Sequence, residues 1–300
     1  MKRITTAELM ADSEGYDRLG RFLEGKLGLS FELTARNKAL FCSRLASVMN
    51  DLGISSLNHW VSSLAAETDF RGNLVFQQLV HAVTTHTTHF FRDPDHFDFL
   101  RVWFRKRLID PQKSKDGLWR ERIRIWCAAS SSGEEPLSVL MTLLDCVPEL
   151  LDRTATQVEI LATDVDPEIL DQARQGTYLE SEMKGISPEQ REKYFILANE
   201  SRSKTEKTYQ FLGKYLKWIH YFPANLAEVP LPVRPSFDLV VCRNVLIYFS
   251  EDQARRTVRE LQKTLLDDGV LILGLSEAGF TTELQEADQL KALLPSIYTK

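Results

Sequence analysis

No apolar run in the 300 residues approaches the roughly 18 needed to cross a bilayer. No charged-then-apolar leader opens the chain either, so the expectation is a cytoplasmic protein without direct membrane insertion. Cysteine is scarce. Cys42, Cys127, Cys146 and Cys242 are scattered with no CxxC pair, which argues against a disulfide framework and for reduced, buried thiols. A net charge of −5 gives no basic signature of nucleic-acid binding. Glycine is missing where a dinucleotide enzyme would need it: no G-x-G-x-x-G follows an apolar strand.

What is present is an ordinary globular composition, 43% hydrophobic and 26% charged, enough for about two domains. Residues 1–115 are mildly basic and the remainder is acidic. The organising stretch is 122–146. Apolar and β-branched residues 122–127 lead into Ala128-Ala-Ser-Ser-Ser-Gly-Glu-Glu-Pro136, and apolar residues then recur at helical spacing to Cys146. This predicts a buried strand, a tight loop and a helix, the opening unit of a doubly wound α/β domain. Ligands bind at the carboxyl ends of such strands. Glu134 and Glu135 stand where a phosphate would sit, and like charges about 4 Å apart repel by roughly 1 kcal/mol even in water. The loop therefore disfavours a pyrophosphate and suits a cationic ligand such as S-adenosylmethionine. A second reading stays open: the acids complement the helix dipole, with Ser132 and Glu135 as a capping box.

Residues 5–80 read as helices, capped first by Thr6 or Asp12 and broken near 25–30. Asn37–Met49 carries Leu40, Phe41, Leu45 and Val48 on one face, with Arg36, Lys38 and Arg44 around the rest. Segments 57–64 and 74–83 complete a small bundle. Next comes Thr84-Thr-His-Thr-Thr-His-Phe-Phe-Arg92-Asp-Pro94, where Pro94 starts or ends a helix. His86 and His89 are three apart, with His81 and His96 nearby. No Cys, Asp or Glu sits at matching spacing, so no metal site is expected. Arg101, Arg105, Lys106 and Arg107 read as a solvated helix face, and Gln112–Gly117 leads into the first strand.

The second strand ends at Asp164, where an acid in such folds holds ribose hydroxyls; Asp166-Pro167 starts the next helix. Residues 177–215 break the α/β alternation as a small inserted subdomain. Strands are predicted at 217–222, 237–242 and 269–275, with a terminal strand within 290–299, and the nearly all-apolar 237–242 is buried on both faces. Arg243-Asn244 follows it at a ligand-binding position.

Taken together, TTHTTHFFRD, WCAASSSGEEP, ATDVD, Asn225-Leu226, FDLVVCRNVLIYF and DDGVLILGLSE, in this order, resemble the chemotaxis-receptor methyltransferases of the CheR type. The resemblance runs from about Thr84 to Glu277. It implies a Rossmann-like class I methyltransferase sheet with helices on both faces at 97–300, an inserted subdomain at 177–215, an all-α domain at 1–83, and a linker, 84–96, that contributes to the cofactor site. It implies transfer of methyl from S-adenosylmethionine to glutamates on the cytoplasmic helical region of a chemotaxis receptor, leaving S-adenosylhomocysteine. Carried over, Asp164 holds the ribose, Glu134 contacts polar groups of the cofactor, and Asn225 with Leu226 frames the adenine. His86 replaces a frequent Asn and, with Thr88 and Arg92, lines the methionine end. Asn244, Val245 and Tyr248 line the reaction centre, where Arg92 and Tyr248 are the catalytic candidates.

Beyond His86, two departures from the family pattern matter more. Asn199–Lys207 lacks the glycine-rich turn of members that dock on a receptor's C-terminal peptide, and Ala278 replaces an Asn. The expectation is a tether-independent monomer. The rival functions are a sensor that binds S-adenosylmethionine or its product without transfer, and a nicotinamide dehydrogenase, which the missing glycines disfavour.

Overall fold

The computed structural model describes residues 3–30, 38–66, 73–109, 122–151, 157–198, 202–203 and 205–300. The N-terminal part is helical, as its periodicity predicts: α1 (Thr6–Ala11), α2 (Ser13–Leu27), α3 (Lys38–Asp51), α4 (Leu57–Ala65) and α5 (Leu74–Val83). Thr5 rather than Thr6 caps α1, and Asp12 caps α2 by accepting the Gly15 N–H. Gly28, at φ 71°, ends α2 in the left-handed conformation that favours glycine. In α3 the buried stripe is Cys42, Leu45, Ala46 and Met49, and Leu40 is turned out. Of the expected basic face, Arg36 lies outside the described residues. Lys38 sits over the Tyr16 ring and Arg44 donates to the Thr84 carbonyl.

Pro94 opens α6 (Pro94–Leu108). The Gln112–Gly117 lead-in lies outside the described residues. The main sheet then assembles as β1 (Arg122–Ala128), β2 (Gln157–Asp164), β6 (Ile219–Pro223), β7 (Phe237–Cys242) and β8 (Leu265–Leu273), all parallel, in the order β6-β2-β1-β7-β8. The expected single terminal strand is a hairpin, β9 (Lys291–Leu294) and β10 (Ile297–Thr299), which adds antiparallel to β8. Ser296, with φ 61° and buried, makes the turn that one strand could not. Helices α7 (Glu134–Cys146), α8 (Pro167–Gln175) and α11 (Glu251–Thr264) make the crossovers.

Period-2 alternation divides the apolar strands between two cores. Ile125, Cys127, Leu239 and Val241 pack on the face that carries α6 and α7. Trp126, Ala128, Val240 and Cys242 pack on the face that carries α11. The inserted segment forms its own antiparallel sheet, β3 (Thr177–Leu179), β5 (Thr208–Phe211) and β4 (Phe195–Leu197), with α9 (Pro188–Tyr194) and α10 (Gly213–Leu216). Of Asn199–Lys207, residues 199–201 and 204 lie outside the described residues.

Arg107 corrects the reading of α6 as having a solvated basic face. It is buried, donates to Asp238 at 2.7 Å and pairs with Asp268. Its partners are more than 130 residues away, beyond any local pattern. They hold its guanidinium more basic than usual against the opposing effect of burial. Among the described residues, no helix is long and apolar enough to cross a membrane.

Candidate active site

The sheet reverses direction of growth at β1, so loops from both sides open a crevice at its carboxyl end. A cleft partly open to solvent occupies that position. It is walled by the 84–92 segment, the loop after β1, the ends of β2 and β7, the loop after β6, and Leu27 to Ser30 of the bundle. Ala129 and Ser131 take positive φ, and Gly133 at φ 98° starts α7, leaving a tight path beside the cleft. The expected Ser132–Glu135 capping box does not form. Ser132 Oγ donates instead to Glu134, and α7 has no side-chain cap.

At one end of the cleft, Asp164 terminates β2 and accepts the N–H groups of Ser131 at 2.9 Å and Asp166 at 3.1 Å. Burial raises its pKa, and these two N–H groups work against the rise. A carboxylate has about four acceptor sites, so two remain for a diol. Leu226 and Asn225 line the opposite wall. The Asn225 side chain is already spent: Nδ2 donates to the Lys26 carbonyl at 2.7 Å and Oδ1 accepts from Ala227. It ties the bundle to the sheet.

At the other end, Arg243 is buried and gathers three elements. It donates to the Arg92 carbonyl, to Asp93 Oδ2 at 2.7 Å and to Glu135 Oε2 at 3.3 Å. It thereby fixes the 84–93 segment onto β7 and α7. Burial pushes Glu135 up to about 7 despite Arg243 beside it. Nine buried side-chain polar atoms among the described residues lack a partner, and four belong to cleft-lining residues: Ser130 Oγ, Glu135 Oε1, Arg243 Nε and Asn244 Oδ1. Buried polar atoms demand partners. Two acceptors and a donor in one wall suit the ammonium and carboxylate of an amino-acid moiety.

The strand-end loop is shaped by Glu277, fully buried. Its carboxylate accepts N–H groups from Asn244, Val245, Leu246 and Ile247 at 2.7–3.4 Å and from Gly274 at 2.7 Å. Asn244 accordingly holds φ 59°, and Tyr248 follows on a short 3₁₀ turn facing the cleft. The Tyr248 hydroxyl makes no hydrogen bond to a described residue.

The cleft thus brings together His86, Thr88, Arg92, Asp164, Asn225, Leu226, Asn244, Val245 and Tyr248. Glu134 is the exception. It is buried against Ser132, burial raises its pKa, and Glu135 takes its place in the lining. Adjacent helix residues point about 100° apart, and spacing alone did not choose between them. The sequence pattern puts Arg243 and Glu135 at the ligand end without a role of their own, and assigns Glu277 none although its motif is visible. Ala278 lies outside the lining, so the missing amide does not alter this wall. His86 and His89 do not pair. His86 instead meets His81 and Asp166, a contact 85 residues along the chain from His81 that short-range spacing could not reveal.

Comparison with known proteins agrees with this geometry. The family profile described as "CheR methyltransferase, SAM binding domain" matches residues 86–292. The chemotaxis protein methyltransferase of Borreliella burgdorferi is 28% identical over 283 residues, covering 94% of this chain and 93% of that protein. Chemotaxis protein methyltransferase 1 of Vibrio cholerae is 33% identical over 274 residues, with 91% and 92% coverage. Chemotaxis protein methyltransferase 1 of Pseudomonas aeruginosa is 34% identical over 258 residues, with 86% and 87% coverage. A cleft built for a cationic amino-acid nucleoside and a profile spanning well over half of the sequence lead to the same conclusion: this chain belongs to the CheR methyltransferase family, built around an S-adenosylmethionine-binding domain.

Proposed function

We propose that the protein esterifies glutamate side chains on the cytoplasmic helical region of a methyl-accepting chemotaxis receptor. The supporting observation is a single cleft lined by both Arg92 and Tyr248. The bound S-adenosylmethionine supplies an electrophilic methyl on a sulfonium. A glutamate carboxylate has a pKa of about 4.3 and arrives ionised, so its oxygen attacks without a general base. The chain's work is then placement in line, at roughly 3 Å, which removes several kcal/mol of barrier. Arg92 spends one N–H on the Thr87 carbonyl at 3.1 Å and has others to steer the carboxylate. The Tyr248 hydroxyl holds the acceptor or the methyl group. His89 lines the same wall, and burial with nearby Arg92 keeps its pKa below the usual value, so it stays neutral and adds no competing charge.

The inserted sheet β3-β5-β4 works here without a receptor-tail tether. Labelled methyl transfer to receptor-containing membranes, released by base, tests the reading. Receptors with and without a C-terminal extension should be labelled equally. Arg92→Ala should lower kcat by at least about a hundredfold while leaving the melting temperature within a few degrees. Tight cofactor binding with no transfer to any receptor would assign the protein to a sensing role instead.

A further inference from the structure

Two histidines and an aspartate from three separate segments meet at the seam between bundle and sheet. His81 lies in the last turn of α5, His86 in the threonine-rich segment, and Asp166 is the residue that caps α8. His81 Nδ1 stands 2.7 Å and His86 Nε2 2.9 Å from the same oxygen, Asp166 Oδ2. The two rings stack, with centroids 5.6 Å apart and planes 23° from parallel, so both turn an edge to one carboxylate. The three ligand-type atoms lie within 4.8 Å of one another.

We propose that His81, His86 and Asp166 form a binding site for a divalent transition-metal ion of the zinc class, clamping the helical bundle onto the methyltransferase sheet. Two imidazole nitrogens and one carboxylate oxygen are a zinc-type donor set, with a fourth position left for water or another oxygen. Glu168 supplies a candidate: its carboxylate is 3.7 Å from His81 Nδ1. Tetrahedral zinc at about 2.0–2.1 Å from each ligand separates the ligands by about 3.3 Å. The observed spacings need to open by about half an ångström, which half-exposed His81 accommodates by a small rotation.

The surroundings favour a cation. Asp166 is fully buried, and its ion-pair partners among the described residues are these two histidines, with no Lys or Arg. A buried carboxylate without a fixed positive partner is costly, and a metal ion removes that cost. The carboxylate is also held in place: Oδ1 accepts the Glu168 N–H at 2.9 Å. Oriented ligands of this kind raise metal affinity. A surface cleft lined by Arg44, Ser47, His81, His86 and Thr87 gives access, and Arg44 at its rim is engaged with the Thr84 carbonyl. The Asp166 N–H donates to Asp164 Oδ1, so the ion would sit one hydrogen bond from the ribose acceptor.

The full chain, stripped with chelator and dialysed, is titrated with Zn²⁺ by calorimetry and with Co²⁺ by visible absorption. The expected result is one ion per chain, a tetrahedral Co²⁺ spectrum and a Zn²⁺-dependent rise in melting temperature. His81→Ala should weaken binding by about a hundredfold or more and abolish the rise, and Asp166→Asn should do the same while keeping the α8 cap. His220→Ala, an exposed histidine on β6, should bind as the parent does. No stoichiometric uptake by the parent, or uptake by His81→Ala equal to the parent's, would overturn the proposal. His81→Ala decides the matter if Asp166→Asn does not fold.

Discussion

Cofactor affinity should depend on pH through Glu135. Burial pushes this carboxyl from 4.5 to about 7, and its Oε1 has no partner. The folded chain holds the proton more tightly than the unfolded chain does. The resulting stabilisation is complete below about pH 4.5 and is lost as pH rises through about 7. A cationic ligand at Oε1 reverses that preference and selects the ionised form. The free protein is then about one-tenth ionised at pH 6, half at pH 7 and nine-tenths at pH 8. S-adenosylmethionine should bind about tenfold more weakly at pH 6 than at pH 8, or about 1.4 kcal/mol. Calorimetry in two buffers of different ionisation enthalpy should register about half a proton released per ligand at pH 7. Glu135→Gln should remove the slope and the proton release. Parallel pH profiles for parent and variant would refute the reasoning.

Asp164→Ala should lower cofactor affinity by about a hundredfold, since hydrogen bonds to a charged acceptor are each worth about 1.5–3 kcal/mol; normal affinity by calorimetry would count against the ribose assignment. Arg107→Ala strands buried Asp238 and should cost about 3–5 kcal/mol of stability, read from the urea midpoint at constant slope. A loss below about 1 kcal/mol would mean that Asp238 is satisfied by its remaining contacts, among them the Arg124 N–H at 2.8 Å.

Local chemistry made some of this legible. The 237–242 strand is apolar at every position but Asp238, and its predicted bounds match β7 to the residue. The helix after Asp166-Pro167 followed from a cap and a first-turn proline. What stayed hidden depends on distant partners. Arg107 looks solvated until Asp238 and Asp268 arrive, and His86 looks unpaired until Asp166 does. The terminal hairpin was hidden for another reason: its turn uses Ser296 at positive φ, which carries no glycine or Asn-Gly signal. The choice of Glu135 over Glu134 rests on helix rotation, fixed by the left-handed Gly133 rather than by either acid.

The single acid that collects five amides beneath the reaction centre has a consequence for how such a wall can change. The course of the bend is written in main-chain atoms, which every residue but proline supplies. The side chains carried by that bend can then change without redrawing the backbone. Acceptor preference can drift while the scaffold stands still, and Glu277 is the one position there that cannot drift with it.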